Sequence, residues 1–129
     1  MMASAQELVQ RLIDAVLAGE LTAVDLVAKA APSPQFLGQA WRFVVTRVRE
    51  RACTAEIVRA IEILCARDPG FSDGSFILGM ANYHLGQLDA AATAFERHCV
   101  EGGPRSEAAR QMLATVDALR ARRVLPIES

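Results

Sequence analysis

Apolar residues recur along this chain at three- and four-residue intervals, the spacing of helices that each bury one face. The first set is Leu8, Val9, Leu12, Ile13, Val16 and Leu17, opened by Ser4 and Glu7 at capping-box spacing and closed by Gly19. Thr22 with Asp25 starts a second short helix that Pro32 ends, and Ser33-Pro34 pairs an N-cap residue with a first-turn proline to open a third. That third helix, over 34–51, carries Trp41, Val44, Val45 and Val48 as its core stripe, and Ile57 and Ile61 mark a fourth. Over 72–85 the pattern changes. Ile77, Leu78, Ala81 and Leu85 make one stripe facing the core, while Phe76, Met80 and Tyr83 make a second on another side. A helix apolar on two sides is either buried on both or holds something on one. Ala91 and Phe95 share a face of the sixth helix, and Ala109, Met112, Leu113, Val116 and Leu119 form the stripe of a last one over 106–122. With no strand-like alternation, the prediction is an all-α chain of about seven helices.

Within this series one stretch has a tighter pattern: Asp68-Pro69-Gly70-Phe71, Leu78-Gly79, Tyr83, Leu85-Gly86, Ala91, Phe95 and Pro104. Gly79 and Ala91 are small where two antiparallel helices must approach, Phe95 fills the space between them, and Gly86 permits the left-handed turn that stops the first helix. Moved back by about 34 residues, the pattern places Trp41 and Pro69 at its ends, with Val44, Val45, Ile57 and Ile61 between. Cys65 and Cys99 are likewise one period apart. The spacing resembles the tetratricopeptide repeat, whose motif runs W-x2-L-G-x2-Y, then A-x3-F, then P. The match is clearest over 72–105 and weaker over 38–71, and Ser75 and Asn82 stand where the motif prefers Trp and Tyr. The resulting single domain divides into an N-terminal hairpin (1–37), a degenerate repeat (38–71), a repeat (72–105), a capping helix (106–123) and a tail (124–129). The hairpin reads as a decayed repeat or a separate cap, with the first favoured.

The resemblance implies helix hairpins stacked as a short right-handed superhelix whose first helices line a concave groove for a partner peptide. On this reading Phe76, Met80, Tyr83 and His84 occupy the middle of the groove. Arg42, Thr46 and Arg49 share one face of the third helix at i, i+4 and i+7, and the periodicity makes Arg110 the later counterpart of Arg42. Aromatic and sulfur-bearing side chains between arginines suit an amphipathic peptide with acidic residues. Some members of the family clamp the carboxyl terminus of chaperones, but Thr46 and Ile77 stand where that role needs asparagine. In size the array also resembles chaperones of bacterial secretion systems. The expected function is a non-enzymatic adaptor, scaffold or chaperone. The alternative is a self-association module that forms a homodimer through the same face.

Composition narrows the partners. The 129 residues are 52% hydrophobic, enough for one core of closely packed helices. A net charge of −1 and a pI near 6.1 speak against nucleic acid. Arg120, Arg122 and Arg123 read as a solvated helix end complementing the helix dipole. No apolar run approaches the roughly 20 residues of a membrane span, and no signal peptide is apparent, which predicts a cytoplasmic protein. Cys53, Cys65 and Cys99 form no C-x-x-C pair and read as free, largely buried thiols. His84 and His98 lie on different helices, and the adjacency of His98 and Cys99 builds neither a nucleophile–base pair nor a metal set, so no catalytic residue, metal or cofactor is expected.

Overall fold

In a computed structural model that describes residues 5–30 and 33–124, seven helices and no strand are present among the described residues: α1 (Ala5–Leu17), α2 (Ala23–Ala30), α3 (Pro34–Arg49), α4 (Ala55–Arg67), α5 (Gly74–Leu85), α6 (Leu88–Val100) and α7 (Ser106–Val124). Ser4, Pro32 and the tail after Val124 lie outside the described residues. The chain is all-α. No described helix is long and apolar enough to cross a membrane.

Local chemistry explains the boundaries. Thr22 Oγ1 accepts the Asp25 backbone N–H at 3.1 Å, and Thr54 does the same for Ile57 at 3.2 Å, satisfying donors that a first helical turn leaves open. Ser33 has the extended backbone of an N-cap ahead of Pro34, but its side chain makes no capping bond. The fifth helix begins at Gly74, not at residue 72, because the turn from Asp68 continues through Asp73.

Each of α1–α2, α3–α4 and α5–α6 packs as a pair; α1 lies on α3, α3 on α5, and α2 on α4, while α7 lies on α6. One core cluster joins α2 to α5 through Leu26, Val27, Val44, Ile61, Leu64 and Ala81, all fully buried, and Leu12, Ile13 and Val16 of α1 pack against it. A second joins α6 and α7 through Ala91, Phe95, Ala109 and Val116. Met80 touches both. The predicted close approach of α5 and α6 is present: a Cβ on Gly79 would stand 2.6 Å from the Phe95 ring, a distance real Cβ atoms do not reach. Of the expected α5 core stripe, only Ala81 is fully buried. Leu78 and Leu85 are half-buried and line a cleft of about 620 Å³ between α4 and α6. Gly79 and Phe95 draw α5 onto α6, and the two leucines are left at the floor of the gap beside α4.

Candidate functional site

The largest group of predicted site residues lies on the face formed by α3, α5 and the turns that follow α3, α4 and α6. Here Val45, Val48, Phe71, Phe76, Ile77 and Met80 form the apolar lining of a hollow of about 560 Å³, and Arg49, Arg51, Asp73, His84 and Arg105 supply its polar edge. A second hollow, of about 630 Å³, continues from it. It shares Arg51 and His84 and adds Tyr83, Gly86, Leu88, Leu119 and Arg122.

Phe76 is held in place by what lies beneath it. Its ring stands 5.6 Å from Phe95 and 5.7 Å from His98, while the Arg105 guanidinium sits 5.8 Å above it. Arg105 also pairs with Asp73 Oδ2 at 3.4 Å. The other oxygen, Asp73 Oδ1, is buried and accepts no hydrogen bond from any described residue, an uncommon state for a buried carboxylate oxygen. Burial first, and then the neighbouring Arg51 charge, hold His84 below the usual histidine range.

Arg49, Phe76, Met80 and His84 therefore meet in one hollow, and Tyr83 stands beside His84 in the next, their rings 5.6 Å apart. Arg42 and Thr46 do not join them. Both line a separate depression between α1 and α3 with Gln10, Ile13 and Leu17, and the Thr46 hydroxyl donates to its own helix at Arg42 O. Arg110 is exposed on α7, away from either hollow. The cations that face the groove are Arg49, Arg51, Arg105 and Arg122. Arg51 and Arg105 sit in turns, where helical periodicity carries no signal. The C-terminal arginines are not a uniformly solvated cluster either: Arg120 pairs with Asp89 at 3.0 Å and Asp117 at 3.4 Å, Arg122 lines the second hollow, and the Arg123 side chain lies outside the described residues.

A buried polar network fixes the groove floor from behind. His98, fully buried, accepts the Arg105 backbone N–H through Nε2 at 3.1 Å, which places the ring proton on Nδ1. Nδ1 then donates to Ser75 Oγ at 3.0 Å, and the hydroxyl donates onward to Glu101 Oε1 at 3.3 Å. A serine beside a histidine invites a catalytic reading. Here the imidazole already gives its proton to the serine oxygen and has its only basic nitrogen occupied, so it cannot deprotonate the hydroxyl. The pair ties α5 to α6 and to the turn that carries Arg105. A Cβ on Gly103 would overlap the His98 ring, so glycine is needed where this turn passes over the imidazole.

The three cysteines are free and half-buried, more accessible than expected. Burial raises the Cys65 thiol to about 11 and also raises Cys53. Among the described residues no three His, Cys, Asp or Glu side chains cluster as a metal site would require. Comparison with protein-family models, with curated proteins and with solved structures gives no match.

Proposed function

We propose that this chain is a non-enzymatic protein-binding module of the tetratricopeptide-repeat type, which holds a peptide segment of a partner in the groove between α3 and α5. The observation that carries this reading is the half-exposed apolar floor of Phe71, Phe76, Ile77 and Met80, framed by arginines and braced from below by Phe95 and His98. A rigid apolar floor with a polar rim is the usual composition of a peptide seat. The engaged Nε2 of His98 supports a role without turnover.

A selection of random dodecapeptides displayed on phage against the full chain tests the reading. Enriched peptides are expected to lose binding on Met80→Asp in protein that keeps its helical circular-dichroism signal, and to slow hydrogen exchange in α3 and α5. Peptides that bind both forms equally would place the site elsewhere. Sedimentation of the free chain completes the test, because a dimer that Met80→Asp converts to monomers would assign the same face to self-association.

A further inference from the structure

Four helix ends in this chain close in the same way. In each, a residue one or two positions past the helix takes positive φ and donates to the carbonyl three residues back, and the next residue donates to the carbonyl five residues back. Three of these ends use glycine at the left-handed position: Gly19 (φ 81°), Gly86 (φ 85°) and Gly102 (φ 68°). The fourth uses Arg51, at φ 58°. A side chain there is conformationally costly, and glycine relieves the cost. Arg51 is also the arginine common to both hollows of the groove.

Charge along the groove is out of proportion to the chain. The molecule carries a net charge of −1, yet among the described residues Arg49, Arg51, Arg105 and Arg122 face the two hollows against one carboxylate, Asp73, which Arg105 already neutralises. No described carboxylate pairs with Arg51 or Arg122, and no acidic residue is among the described residues that line the second hollow.

We infer that Arg51 and Arg122 form a carboxylate-binding subsite at the junction of the two hollows, and that the partner segment carries an Asp or Glu beside the apolar residue seated on Phe76 and Met80. This deepens the peptide-groove reading and rests on it. Arg51 supplies a planar fork of donors, the geometry that recognises a carboxylate in two parallel hydrogen bonds. From the left-handed position of its turn Arg51 lines both hollows. Arg51 is a specificity residue, kept at a position where the backbone favours glycine.

The displayed dodecapeptide library gives the test, read for composition as well as binding. Peptides selected on the wild-type chain are expected to be enriched in Asp or Glu within a few residues of Leu, Met or Phe, and Arg51→Glu is expected to shift the selection to Lys and Arg. Arg51→Gly keeps the turn and removes the fork. It is expected to raise the melting temperature and weaken a selected acidic peptide about tenfold in fluorescence anisotropy, a change of about 1.4 kcal/mol. Binders without acidic enrichment, or unchanged affinity in Arg51→Gly, would overturn the inference and leave the groove reading standing. Displacement of the peptides by a single-stranded oligonucleotide that needs Arg51 would overturn it in favour of nucleic acid. A library that yields no binder would overturn both.

Discussion

The α3–α4 and α5–α6 hairpins seal the same place by opposite means. In the first, Trp41 fills the junction, stacks at a tilt against Phe71 with ring centroids 4.5 Å apart, and donates from Nε1 to Asp68 Oδ2 at 3.0 Å. One period of about 34 residues later, Trp41 becomes Ser75, the fully buried Leu64 becomes the fully buried His98, and Phe71 becomes Arg105. His98 is no larger than Leu64, and hydrogen bonds have replaced much of the apolar contact. The substituted residues touch one another, so the exchange is coherent: a serine alone at a tryptophan position would leave a cavity, and a histidine alone at a leucine position would leave two buried ring nitrogens to satisfy. The polar version clamps the turn that delivers Arg105 to the groove.

Truncating the two seals breaks them to different degrees. Trp41→Ala removes a buried indole and leaves a void, with an expected cost of about 3–5 kcal/mol in denaturant unfolding. Ser75→Ala, at the corresponding position, is expected to cost only about 1–2 kcal/mol, through the unpaired Nδ1–H it leaves behind. Equal losses would mean that position alone sets the energetics. Between these lies His98→Leu, which gives the second hairpin the residue of the first. It orphans the Arg105 N–H and leaves the Ser75 hydroxyl with Glu101 as its one partner, for about 2–3 kcal/mol. Combined with Ser75→Ala, its cost should be less than additive by about 1 kcal/mol, since both changes dissolve one network. Strict additivity would show that the hydrogen bonds contribute independently.

These contrasts also mark what could be read from the chain alone. Helix number and the approach of α5 to α6 were legible, because the apolar stripes repeat at helical spacing and a glycine stands where Phe95 needs room. Periodicity places Arg42, Thr46 and Arg49 on one side of α3, but it cannot say that α1 lies along part of that side and takes Arg42 and Thr46 into a different depression. It extrapolates Arg110 into the groove although α7 turns that residue outward. Arg51 and Arg105 act from turns, and the Ser75–His98 pair joins two helices without any spacing signal. The groove's centre was thus visible in its helical residues, and its charged rim was not.

The smallest expected effect separates the seals by chemistry. Cys65 lies at the first seal: a Cβ on Gly74 would stand 3.2 Å from its sulfur on one side and 3.4 Å from the Trp41 ring on the other. Desolvation dominates over the modest lowering by Arg97 and raises the thiol to about 11. The folded value lies above the unfolded one, so this contribution to stability is complete below about pH 8.5 and is lost as pH rises toward the folded value. At pH 8 the native thiolate fraction is roughly two orders of magnitude below that of a free cysteine, and alkylation of Cys65 by iodoacetamide, followed by peptide mass spectrometry, should be slowed accordingly. Trp41→Ala should speed the reaction at Cys65, because it admits water to the sulfur, whereas Ser75→Ala should leave the rate nearly unchanged. If both variants label alike, the indole is not what keeps Cys65 dry, and the desolvation must come from the α4–α5 packing common to both.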